Sequence, residues 1–200
     1  MTNKRGRPSL KEERLTAILD ATGRCIARFG VEGMTLEQVA RESELSRSHV
    51  RHYAGNRADL VDLFRRRIIA RHTPPDLTEA LEPGTPATEL VLRHLFDGPA
   101  DLDEHAAIDA LLAAARHNAA VHDEVQAVYT GIEAFIAAAI RADHPDWDER
   151  RVAETASQTL YLSYGYFTML SVGLESTRLD AARTLAAQIL CVPPRDGQAG

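Results

Sequence analysis

The chain has 200 residues, 44% hydrophobic and 26% charged, with a net charge of −6. That balance is expected of a soluble globular protein, and with no apolar run of about eighteen residues no membrane-spanning helix is expected. The net charge conceals a partition: residues 1–72 hold 15 basic against 9 acidic residues (+6), and residues 73–200 hold 8 against 20 (−12). Such an asymmetry points to a polyanion as partner of the first part only.

The N-terminal MTNKRGRPSL is basic but has no apolar stretch behind it, so it does not read as a secretory signal and the expected location is cytoplasmic. Ser9 and Glu12 have the spacing of a capping box. Leu15, Ile18, Leu19, Thr22, Cys25, Ile26 and Phe29 follow at spacings of three and four, which predicts a helix with one buried stripe. Gly30 is expected to end it as a left-handed C-cap. Thr35 and Gln38 form a second capping box, opening a short helix that buries Leu36, Val39 and Ala40. Ser46 is expected to cap another short helix, with Leu45 and Val50 facing inward. Asn56 caps a fourth, whose stripe is Leu60, Leu63, Phe64 and Ile68, and Pro74 and Pro75 end it.

Residues 73–86 contain four of the nine prolines and mark a boundary. Beyond them amphipathic helices are expected over 90–96, 102–117, 119–142, 148–172 and 179–191, with a break at Pro145. Val121, Val125, Val128, Ile132, Phe135, Ile136 and Ile140 make the apolar side of the third of these. The tail, residues 193–200, is expected to be disordered. No strand-like alternation and no internal repeat occurs, so the class is all-α. Cys25 and Cys191 stand far apart in no metal-ligand spacing and read as small core residues.

A helix of about eight residues, a short break and a second short helix, braced by longer helices, is the spacing of a helix-turn-helix unit. In that arrangement the second short helix enters the DNA major groove. Here it would present Ser46, Arg47, Ser48, His49, Arg51, His52 and Tyr53, with Val50 turned to the core.

The stretch TLEQVARESELSRSHVRHYAGNRADL, with the capped first helix and Gly30 before it, resembles the DNA-binding domain of TetR-type transcriptional regulators over residues 9–60. Members usually carry Gly where Glu44 stands, and aromatic residues where Arg51 and Ala54 stand. The resemblance implies that Arg47 contacts guanine, that Ser48 and His49 touch bases or flanking phosphates, and that Thr35, Arg51, His52, Tyr53 and Arg57 position the domain on the DNA backbone. The arm around Lys4, Arg5 and Arg7 is basic and extended, suited to the narrow minor groove.

It also implies a larger helical domain that dimerises and encloses a small organic effector, whose binding releases a repressor from a palindromic operator. Tyr161, Tyr164, Phe167, Thr168 and Met169 are candidates to line the effector pocket. Gly165, Val172, Leu185 and Ile189 are candidates for the homodimer interface. The expected division is a basic arm (1–8), a helix-turn-helix domain (9–54), a linking helix (55–72) and an effector-binding and dimerisation domain (73–192).

An enzyme is the first rival. His105 and Asp109 stand four apart, and His117, His122 and Asp123 are close in sequence, but such spacings arise by chance on polar helix faces. No nucleophile elbow or phosphate-binding loop is present, so no metal, cofactor or catalytic residue is expected. The second rival is a DNA-binding protein whose larger domain only dimerises or binds a protein partner. The same residues can pack a core or line a pocket, so both remain open at this point.

Overall fold

The computed structural model describes residues 10–82, 84–97, 102–174 and 179–191. By their contacts the residues fall into two compact units: Met1–Ala70 with Asp103–Asn118, and Arg71–Leu102 with Ala119–Gly200.

In the first unit α1 (Leu10–Gly33) buries Ile18, Leu19, Ala21, Thr22, Cys25 and Ile26 on one side. The helix is interrupted at Gly30 (φ 70°, ψ 170°), a region open essentially to glycine alone, and one further turn follows. Gly30 therefore breaks the helix, but not as the left-handed cap expected of it. The proposed Ser9 cap lies outside the described residues.

Next come α2 (Leu36–Glu42) and α3 (Arg47–Ala54), both packed on α1 and on each other. Then α4 (Arg57–His72) sends Leu60, Phe64 and Ile68 into the same core. Asn56 starts α4 as the sequence predicts: its Oδ1 accepts from the Ala58 and Asp59 N–H groups at 2.8 and 3.1 Å, and Asp59 Oδ2 accepts from the Asn56 N–H at 2.8 Å.

One further helix completes this core. The segment α7 (Leu102–Ala115) places Ala107 and Leu111 among the buried residues of α1 to α4. Sequence division assigns that helix to the larger domain, whereas its contacts gather residues 103–118 with the first unit.

The second unit holds α5 (Leu77–Ala80), α6 (Ala87–Phe96), α8 (Ala119–Asp143), α9 (Glu149–Ser171) and α10 (Leu179–Ile189). Helix α8 packs on α6 and α9, and α10 packs on α9 and α6. Leu90, Val91, Leu92, Phe96, Ile132, Ile136, Ile140, Val152, Ala186 and Leu190 form the centre of their core.

Asp143 ends α8 by accepting the Ala87 and Thr88 N–H groups (2.9 and 2.8 Å) and the Thr88 hydroxyl (2.6 Å). It thus satisfies the open start of α6, which Pro86 does not cap with a side chain. At the other end of that loop Trp147 is stacked on His144 (4.3 Å) and covered by the Arg151 guanidinium (3.6 Å).

The short α5 lies where the sequence suggests only a proline-rich boundary. By length and composition α8 could cross a bilayer, but its apolar residues Ile132, Phe135, Ile136 and Ile140 are spent on the protein core. Cys25 is buried as expected; Cys191 is exposed, at φ 56°, because the chain turns left-handed after α10.

Candidate nucleic-acid interface

The turn between α2 and α3 is built on two backbone bonds. The Leu45 N–H donates to the Ala40 carbonyl (2.9 Å) and the Glu44 N–H to the Arg41 carbonyl (3.3 Å). This is a Schellman closure, which puts the residue after the C-cap Ser43 in the left-handed region. Glu44 occupies that place at φ 56°. The sequence flags the position because glycine is the residue it favours.

Both short helices are fixed at their N-termini. Thr35 Oγ1 accepts from the Gln38 N–H (3.3 Å) while Gln38 Oε1 accepts from the Thr35 N–H (2.7 Å), closing the expected capping box. Ser46 accepts from the His49 N–H at 3.2 Å, and its hydroxyl lies 2.8 Å from that of Ser48. On α3 only Val50 and Ala54 are buried. Tyr53 is half-buried, packed on the core and edge-on to the His52 ring at 5.0 Å. Arg47, Ser48, His49, Arg51 and His52 are all exposed.

Charge pairing separates the arginines of this unit. Arg24 and Arg28 are held by Glu42 (2.7 and 3.3 Å), and Arg67 by Asp20 (2.7 Å). Arg65 and Arg66 share Asp62. The Arg24 hydrogen bond is the main reason that the Glu42 carboxyl sits below the ordinary carboxylate range. Among the described residues Arg47 and Arg51 have no carboxylate partner, so their charge is available to an outside anion. Arg41, exposed on the last turn of α2, is in the same condition. Sequence reasoning missed it, since a basic residue there reads as complementing the helix dipole.

Arg57 is placed differently from the other candidates. Its Nε donates to the Met34 carbonyl at 2.8 Å and its Nη2 to the Val31 carbonyl, with the Glu32 carboxylate 3.5 Å from Nη2. Arg5 and Arg7 lie outside the described residues.

The candidates on α9 and α10 fall on more than one side. Tyr161 (68% exposed), Met169 and Val172 (71% exposed) face outward, as does Leu185 on α10. A side chain added at Gly165 would meet nothing within 4 Å. Tyr164 is exposed but edge-on to Tyr129 at 5.9 Å; Phe167 is edge-on to Tyr166, and Thr168 and Ile189 are half-buried. Tyr166 is held above its ordinary pKa by burial, assisted by the charge of Asp180. A cleft of about 390 Å³ in this unit is lined by Gly84, Thr85, Pro86, Thr88, Asp143, His144 and Cys191, none of them a sequence candidate. No group of three or more His, Cys, Asp or Glu side chains among the described residues is arranged to hold a metal ion.

Residues 18–63 match the family described as bacterial regulatory proteins, tetR family. No curated protein matches the chain. Similar solved structures include a TetR transcription regulator from Haloarcula marismortui, with 19% identity over 90% of this chain and 97% of that one and a TM-score of 0.69. A TetR-like regulator from a Rhodococcus species is similar at 17% identity, covering 92% and 97%, with a TM-score of 0.63. A candidate transcriptional regulator from Saccharomonospora viridis, in complex with choline, shares 19% identity over 90% and 96% with a TM-score of 0.70. At these identities the structures establish a common fold.

Proposed function

From the match of residues 18–63 to the tetR family of bacterial regulatory proteins, we propose that this chain is a ligand-responsive repressor that binds a palindromic operator as a dimer in the cytoplasm. The observation that carries the reading is the state of α3. Five polar or cationic side chains stand exposed on a helix anchored by Val50 and Ala54, and its two arginines have no carboxylate partner among the described residues. Arg47, at the helix start, is the base reader, with Ser48 and His49 beside it. Thr35, Arg51, His52 and Tyr53 set the domain on the phosphates, and the arm bearing Arg5 and Arg7 extends the contact.

One α3 helix reads few base pairs, so two must be presented about 34–36 Å apart. The outward apolar side chains Tyr161, Val172 and Leu185, with open space at Gly165, support α9 and α10 as the pairing surface. Tyr164, exposed but edge-on to Tyr129, and the half-buried Phe167 and Thr168 fit a small organic effector; the choline held by the Saccharomonospora viridis relative is of that size class.

The test is selection of bound sequences from random duplex DNA, followed by titration of the recovered site with a metabolite panel. A palindrome released by one compound supports the proposal. A palindrome that no compound releases leaves a dimeric DNA-binding protein without an effector. Enrichment of no sequence refutes the reading.

A further inference from the structure

The link between α1 and α2 has a polar problem that Arg57 solves. Val31 lies in the last turn of α1, where carbonyls lack helical partners. Met34 lies between the two helices, and its side chain is fully buried. Arg57, the first residue of α4, reaches across and donates to both carbonyls from one edge of its guanidinium. That edge, Nε with Nη2, is one at which a phosphate can make a two-point contact. Glu32 adds a carboxylate 3.5 Å from Nη2, which repels a second anion there.

We infer that Arg57 is a positioning residue: it ties the start of α4 to the Val31 and Met34 carbonyls, fixes the Thr35 cap one residue further on, and so aims α2 and α3, without touching DNA. This rests on the DNA-binding reading above. It separates Arg57 from the phosphate-contacting role that its place at a helix N-terminus suggests. An Arg57 that contacts phosphate contributes charge; an Arg57 that positions contributes paired hydrogen-bond donors.

Salt dependence distinguishes the two, because each neutralised phosphate adds about 0.9 to the slope of log affinity against log salt. The experiment uses the full chain and its selected operator between about 50 and 200 mM salt. Wild type is compared with Arg57→Gln, Arg57→Lys and Arg57→Ala, and each is also measured on non-specific duplex. Gln keeps an amide donor without charge; Lys keeps the charge on a single ammonium that does not span both carbonyls.

The expected result is a salt slope equal to that of wild type in the Gln and Lys proteins. Operator affinity falls about tenfold in both, with non-specific affinity unchanged, a loss of discrimination that a phosphate contact does not produce. A slope smaller by about 1 in Arg57→Gln, restored in Arg57→Lys, would overturn the inference. So would an equal loss on operator and non-specific DNA. Should Arg57→Ala fail to fold, the Gln and Lys arms still decide. Absence of salt-dependent duplex binding in the wild-type protein instead removes the DNA-binding reading itself, and this inference with it.

Discussion

Glu44 occupies a position whose geometry is set by its neighbours. The bonds from Leu45 to Ala40 and from Glu44 to Arg41 close the turn, and with Leu45 packed on the core the backbone at 44 has no alternative to φ 56°. A side chain bearing Cβ costs about 1–2 kcal/mol in that region. Glycine removes the cost but adds freedom to the unfolded chain, worth about 0.4–1 kcal/mol in the opposite direction. Glu44→Gly should therefore stabilise the first unit by about 0.5–1 kcal/mol, a rise of about 1–4 °C in Tm for a chain of this length. Thermal unfolding followed by circular dichroism at matched salt reads the shift. Glu44→Ala is the control, since it removes the charge and keeps Cβ. If Ala and Gly raise Tm equally, the benefit comes from removing a carboxylate beside a basic helix, and the argument from backbone strain is refuted.

At Gly55 the opposite substitution should be harmful. The residue has φ 79°, and an added Cβ would overlap the Asp59 carboxylate. Gly55→Ala must displace the carboxylate that caps Asn56, so denaturant unfolding should show a loss of about 2–3 kcal/mol; an unchanged midpoint would contradict the account. His94 is held below its ordinary pKa by burial, which outweighs its hydrogen bond to the His72 backbone. The unfolded chain then takes up a proton that the folded one refuses as pH falls through about 6.5. Stability should fall on the acid side of that value, down to the lowered folded pKa, and His94→Gln should make the decline shallower in chemical unfolding at stepped pH. Arg47→Ala should relax preference at one base of the operator, costing about 1–3 kcal/mol of discrimination there; a uniform loss across sequences would remove Arg47 from base reading. Val172→Arg should weaken self-association in light scattering while leaving the helical spectrum intact. A dimer unaffected by it would move the interface away from the outward side of α9.

Much of the first unit is legible in the sequence because its signals are local. Thr35 with Gln38, Ser46 and Asn56 each fix a helix start through bonds spanning three residues or fewer, and Leu60, Phe64 and Ile68 recur four apart as the buried stripe of α4. What the sequence does not carry is the direction in which a long polar side chain turns. Arg57 and Arg51 have the same chemistry and stand six residues apart. Yet Arg57 folds back onto the carbonyls of residues 31 and 34, while Arg51 is exposed and has no carboxylate partner among the described residues. That difference depends on the path of the chain after Gly30, a region no periodicity describes.

Helix α7 shows the same limit for apolar residues. Its run from Ala106 to Ala115 is apolar at every position except Asp109, so no face stands out and its pattern alone cannot assign it a partner. Sequence order then places it with the helices that follow. Contacts decide otherwise: Ala107 and Leu111, one turn apart, enter the core beside Ile18, Phe64 and Ile68, and Ile108 and Ala110 pack at its edge. Ala107 has no exposed surface to grow into, so a single enlarged side chain there should be felt directly. Ala107 is fully buried, and overfilling a packed core costs about 1–3 kcal/mol. A segment that begins thirty residues beyond the end of α4 is thus part of the core on which α2 and α3 rest. The physical boundary of the first unit is set by which side chains share a core, and not by where the helix-turn-helix signal ends.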